Sequence, residues 1–241
     1  MKKLRTVVLV VVLVLGISWA VEEGSATGDL VRQHSFESAA LAIPSDARPY
    51  DLSLQQHVAR VRTRQVEVSG TADASLTCDH CIGKAASVQV VYAERATSVV
   101  ARNIATAWAS DCIGCRGWAV SIQVVIAKSA TAIRAGNRAL AVNAACVGCS
   151  MSALAVQFVA VGASRPQLSG ATLERIRALR DQLLSQLQTR TLPLRPDGTT
   201  SRLPSRGTAR TMLTSTTAQI ANVLAADLGA DVTDDVKASQ S

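Results

Sequence analysis

A mainly β repeat, made of stacked 34-residue units and followed by an α-helical C-terminal segment, is the fold the sequence predicts. Three observations carry it. Three C-x-x-C motifs, Cys78-Asp79-His80-Cys81, Cys112-Ile113-Gly114-Cys115 and Cys146-Val147-Gly148-Cys149, have first cysteines 34 residues apart in both intervals. The register of shared residues runs well beyond the cysteines, and those residues alternate with period two. An internal duplication of this kind governs the fold.

Gln89, Gln123 and Gln157 recur at that spacing, as do Ala85, Ala119 and Ala153; Asn103 matches Asn137, and Ala105 matches Ala139. Laying 78–111 on 112–145 gives 15 identities, and the third unit is truncated at Val161. Ala119, Ser121 and Gln123 alternate with Val120, Ile122 and Val124. Positions i, i+2 and i+4 share one face of a strand but spread around a helix. Val-Gln-Val-Val-Tyr and Ile-Gln-Val-Val-Ile are also rich in strand formers. Two strands per unit follow, near 85–93 and 101–109 in the first. The alternative is an all-α stack of hairpins, favoured by abundant Ala and by the absence of Gly and Pro between Lys84 and Ile113.

Each C-x-x-C then falls at a turn between strands. Gly114 and Gly148 occupy the third position of two copies, where a type II turn requires positive φ. Such a turn brings its ends within reach of a disulfide, so local Cys78–Cys81, Cys112–Cys115 and Cys146–Cys149 bridges are expected. Bridges between adjacent turns would also fit a stack.

Around the repeat, residues 1–20 read as a signal peptide. Lys2, Lys3 and Arg5 precede an apolar run from Val7 to Ile17, and Ser18-Trp19-Ala20 offers small residues for cleavage. The run is short for a membrane span; an uncleaved anchor is the alternative. Cleavage removes three positive charges, taking the formal net charge from +7 to +4. Residues 21–57 look like a loose leader with Pro44 and Pro49, and 58–165 form the repeat domain. His57 to Val68 reads as a strand with Arg60, Arg62 and Arg64 on one face, a charged edge or a polyanion-binding stripe.

Residues 166–241 hold two amphipathic helices with a Pro/Gly/Ser linker. Ser169 caps the first, near 171–190, with Leu173, Ile176, Leu183 and Leu187 in a stripe. The second, near 209–228, carries Leu213, Ile220, Leu224 and Leu228. These helices are expected to cover the open end of the repeat or to pair with each other. Between 165 and 210 there are nine Arg against three acidic residues; the tail from Asp227 is acidic and expected to fray.

Composition and chemistry narrow the function. Hydrophobic residues make up 48% and charged residues 18%, so most of the chain can fold. Aromatics at 3% leave no stacking platform for nucleic acid, and no nucleic-acid partner is expected. Six cysteines in an exported chain point to disulfides. Thiol–disulfide exchange would centre on Cys78 and Cys81, where His80 could lower a thiol pKa. A catalyst of that kind has one activated pair in a thioredoxin-like setting, however, and not three in a repeat. Two C-x-x-C pairs could form a four-thiolate zinc site, but six cysteines leave a pair over, so no metal or other cofactor is assigned. Gln89, Gln123, Gln157, Asn103 and Asn137 read as structural amides satisfying one another and the backbone. His34, His57 and His80 make no H-E-x-x-H pair, and no phosphate loop, dinucleotide fingerprint or G-x-S-x-G occurs. No catalytic residue is assigned.

The succession of C-x-x-C, Ala-x-Ser/Ala-x-Gln and Asn-x-Ala-x-Ala over about 78–161 resembles a group of uncharacterised secreted actinobacterial repeat proteins. Related segments occur in chains described as peptide zinc metalloproteases. The resemblance implies an extracytoplasmic accessory region. The protease zinc-binding helix motif is missing here, so that activity and its residues are not carried over. The expectation is a secreted, non-catalytic repeat scaffold or interaction protein. It would meet an unidentified protein or cell-envelope partner, with no transmembrane span in the mature chain. The rival is an extracytoplasmic thiol–disulfide protein acting through Cys78 and Cys81.

Overall fold

The computed structural model describes residues 33–164, 167–190 and 206–241. The expected signal peptide, the first part of the leader and most of the Pro/Gly/Ser linker lie outside the described residues. Eight strands wind as a four-turn β-solenoid: β1 (Gln33–Ala42), β2 (Tyr50–Val61), β3 (Gln65–Leu76), β4 (Ile82–Ala93), β5 (Ser98–Ser110), β6 (Arg116–Ala127), β7 (Ala132–Ala144) and β8 (Ser150–Val161). The odd strands form one parallel sheet, in the order β1-β3-β5-β7. The even strands β2-β4-β6-β8 form the other, extended by an antiparallel β9 (Val232–Gln240). Each coil thus gives one strand to each sheet, and the stacked helical hairpins are not what forms.

Interior positions line up in columns because pairing is in register. Ala40, Ala72, Ala105 and Ala139 stack, as do Ala42, Ala74, Ala107 and Ala141. On the facing sheet Ala85, Ala119 and Ala153 stack, beside Gln89, Gln123 and Gln157. Along the strands the interior divides into three layers. The end nearest the C-x-x-C turns is filled by alanines and cysteines with Leu76 and Met151. The opposite end is filled mainly by Val61, Val66, Val68, Val91, Val99 and Val125. Buried amides and serines lie between them. Small side chains in the layer nearest the C-x-x-C turns let facing sheets pack densely there without aromatic rings.

The outer face of the even-strand sheet is also apolar. Val88, Val90, Trp118, Val120, Ile122, Leu154, Val156 and Phe158 are buried there beneath α1 (Gly170–Arg190) and α2 (Arg206–Leu228). This double burial explains why β4, β6 and β8 read as near-continuous hydrophobic runs. Ser169 caps α1 through a bond from Thr172 N to its Oγ (3.2 Å), while Asp227 Oδ2 accepts from Ser169 N (2.7 Å) and ties α2 to the start of α1. Ile176, Leu179, Leu183 and Leu187 point into the core. Trp118 Nε1 donates to Leu187 O (3.2 Å). Burial pushes the Tyr92 hydroxyl pKa up, and that hydroxyl accepts from Leu168 N (3.1 Å).

Four expectations need correction. Residues 33–57 are not a loose leader: they supply β1 and most of β2, a complete coil paired in parallel on β3 and β4. His57–Val68 is not one strand, since β2 ends at Val61 and β3 begins at Gln65. Arg60 therefore lies over the Tyr92 ring (5.8 Å), whereas Arg62, in the turn, pairs with Glu94 (2.8 Å), and no single arginine stripe forms. The helices cover a sheet face and not the open end, while also pairing with each other as the other expectation had it. The acidic tail does not fray: β9 runs antiparallel along β8, from Ser152↔Gln240 to Ala160↔Val232. Leu213 belongs to a part of α2 whose side chains lie outside the described residues.

β9 closes the last coil with polar side chains. Asp235 and Lys237, paired with each other (2.9 Å), stand opposite Gln157 and Ala155 of β8. A charged terminal strand stops further strand addition. Removing residues 231–241 should expose the β8 edge and give larger assemblies than the full chain forms, as read by light scattering of the two side by side. A truncated chain that assembles no further than the full chain would contradict this role.

Candidate functional site

The three C-x-x-C turns stack along one edge of the solenoid. They span 77–81, 111–115 and 145–149, each joining an odd strand to the next even one. The two sulfurs within each motif lie at bonding distance, with Cα separations of 5.6, 6.4 and 5.9 Å in chain order. Cys78, Cys81, Cys112 and Cys115 are buried, while Cys146 and Cys149 are half-buried at the last coil. The third position of each motif is left-handed: His80 has φ 55°, Gly114 φ 68° and Gly148 φ 66°. The first copy thus forces a non-glycine residue into a region that L side chains rarely adopt.

Backbone bonds join turn to turn. His80 N donates to Ile113 O (2.7 Å), Gly114 N to Val147 O (2.8 Å) and Val147 N to Cys112 O (3.1 Å). Asp79 Oδ1 accepts from Ile113 N (2.8 Å). The His80 ring sits over Gly114, where an added Cβ would meet Nδ1 at 2.6 Å. Sulfur contacts repeat by coil: Cys115 Sγ lies 2.9 Å from Cys78 O, and Cys149 Sγ 3.5 Å from Cys112 O.

Turns two and three are entered alike, but turn one reaches its first cysteine one residue sooner. Ala109 pairs with Asn143, and both Cys112 and Cys146 follow three residues later. Leu76 pairs with Ala109, yet Cys78 follows Leu76 after only two residues. The additional residue is left-handed in both later turns, as Asp111 (φ 52°) and Ala145 (φ 50°). Accordingly the Sγ atoms of Cys112, Cys115, Cys146 and Cys149 all lie within 4.8 Å of one another, a group that excludes Cys78 and Cys81.

Behind this edge the amides form a directional chain. Gln157 Nε2 donates to Gln123 Oε1 (2.6 Å), Gln123 Nε2 to Gln89 Oε1 (2.6 Å), and Gln89 Nε2 to Ser69 O (3.0 Å). Asn103 Nδ2 donates to Asn137 Oδ1 and to Val156 O (both 2.9 Å), and Ser121 Oγ to Asn103 Oδ1 (2.6 Å). Asn137 Nδ2 donates to Asp235 O (2.7 Å). Sequence reading missed the two ends of the glutamine column. His57 pairs with Gln89 in the first coil, and Asp235 with Gln157 at the last. A 32-residue offset hides His57, and the antiparallel return of β9 hides Asp235. His80 and Asp79 act on the neighbouring turn, while His57 stacks edge-on against Phe36 (6.0 Å between centroids).

Compared with protein families, curated proteins and solved structures, the chain matches none. Gly148 has open space where a Cβ would go, whereas Gly114 faces His80. Gly148→Ala should cost roughly 1–2 kcal/mol for the left-handed backbone alone. Gly114→Ala should cost clearly more, and His80→Gly should recover part of the difference. Urea denaturation of the single and double variants measures this; equal costs at the two glycines would refute the stacking of His80 on Gly114.

Proposed function

We propose that the chain is a secreted, non-catalytic repeat scaffold or interaction protein of the cell envelope or exterior. One observation carries the reading: the groups with chemical potential are occupied in joining coils. The glutamines bond to each other at 34-residue intervals, Asn103 bonds to Asn137, and the cysteine turns are stitched by backbone bonds. The N-terminal apolar run with its small-residue cleavage site supports export, and export supports three local disulfides. No described helix is long and apolar enough to cross a membrane.

The surface offered to a partner is the outer face of the odd-strand sheet, because α1 and α2 pack on the even-strand sheet. Half-buried Val100, Ile104 and Trp108 stand there among Arg102, Arg134 and Arg138. Aromatic, aliphatic and arginine side chains together suit a protein partner.

The burial of Cys78 (6% exposed) and Cys81 (0%) favours this reading over thiol–disulfide exchange at that pair. An attacking thiolate must reach the sulfur it displaces. Protein recovered outside the cell should begin at Val21 and show no insulin-reducing activity above that of free dithiol. Activity that disappears only in the Cys78→Ser/Cys81→Ser variant would overturn the scaffold reading.

A further inference from the structure

We propose that in its thiol form the protein binds one Zn²⁺ through Cys112, Cys115, Cys146 and Cys149. The proposal rests on coil geometry alone and not on secretion or on a scaffold role. All four Sγ atoms fall within 4.8 Å, and across the turns Cys112 Sγ lies 3.2 Å from Cys146 Sγ and 3.8 Å from Cys149 Sγ. A tetrahedral zinc with Zn–S near 2.3 Å sets sulfur–sulfur edges of about 3.8 Å. One inter-turn separation already has that value and the other is about 0.6 Å shorter. Within each motif the sulfurs, at bonding distance here, have to part to the same separation once reduced.

The backbone holds the two turns in place before any ion arrives. Gly114 N–Val147 O and Val147 N–Cys112 O clamp one turn on the other, and Ile113 and Val147 form a parallel bridge. Cys115 N points at Cys149 Sγ (3.3 Å), a donor that favours the thiolate over the thiol. Half-buried Cys146 and Cys149 give the ion a way in from the last coil.

The same geometry argues against passing electrons along the stack. A thiolate displaces sulfur from the rear of an S–S bond, which would put Cys112 Sγ about 5 Å from the far sulfur of the next pair. Instead it lies 3.2 and 3.8 Å from the two sulfurs of that pair, a compact group and not a line. Local bridges and zinc are alternative uses of these sulfurs, and each thiol gives up a proton when it binds the ion. The pair left over is that of the first turn, which lacks a residue equivalent to Asp111 and whose sulfurs lie outside the four-sulfur group.

The test uses the full chain, reduced with a phosphine and handled without oxygen. Cobalt titration should saturate at one equivalent, give the visible bands of a tetrahedral tetrathiolate, and reverse when zinc is added. Cys78→Ser/Cys81→Ser should keep that equivalent, and Cys112→Ser or Cys146→Ser should lose it. Alkylation of the wild type, read by mass spectrometry, serves even if those variants fold poorly. Zinc-dependent protection confined to Cys112, Cys115, Cys146 and Cys149 supports the site. Protection of any other set, or none, would overturn it, as would a cobalt stoichiometry of zero.

Discussion

Every coil must lay its interior side chains directly on those of the coil before it, and the rest of the structure depends on that in-register parallel stacking. A parallel ladder puts residue i against its counterpart one coil on, so whatever lies inside is repeated. A repeated large side chain would have to fit against itself four times between two sheets. Alanine satisfies this without strain, which accounts for the columns at Ala72, Ala105 and Ala139 and at Ala85, Ala119 and Ala153. An amide also satisfies it, because carboxamide oxygen and nitrogen complement the same group above and below. Gln89, Gln123 and Gln157 thereby meet the bonding needs of groups that would otherwise be costly to bury.

Small interior residues leave the solenoid with limited apolar burial of its own. The larger apolar side chains stand instead on the outer face of β4, β6 and β8, under α1 and α2. The helices thus supply the second hydrophobic layer, and β9 ends the repeat with Asp234, Asp235 and Lys237 where another coil would otherwise pair. The first coil is more irregular: Phe36 and His57 occupy positions that Ala101 and Gln123 hold further on. Ser38 Oγ still reaches Ser87 Oγ at 3.3 Å across its interior.

Much of this was legible wherever the chain repeats itself closely. Gln89/Gln123/Gln157 and Asn103/Asn137 named the amide column, and alternation around Ser121 named the strands. The first coil was hidden because its offsets are 32 residues and its motif lacks cysteine: Tyr50 and Asp51 stand where Ile82 and Gly83 follow the later turn. β9 was hidden for a different reason. Val-Thr-Asp-Asp-Val-Lys carries little apolar signal, and only the open edge of β8 makes it a strand. The grouping of four cysteines was hidden by equal spacing. All three motifs are 34 apart in sequence, yet β3 pairs with β5 at an offset of 33 and β5 with β7 at 34. The additional residue stands just before the second and third motifs, as Asp111 and Ala145, and the four grouped sulfurs belong to those two motifs.

Side-chain amide NMR tests the in-register stacking most directly, because Gln89, Gln123 and Gln157 touch only if successive coils align. Nuclear Overhauser contacts should connect the Nε2 protons of Gln157 with Gln123 and those of Gln123 with Gln89, and these protons should exchange slowly with solvent. Glutamine amides that exchange as freely as those of an unfolded peptide, with no contacts at 34-residue separation, would contradict the account.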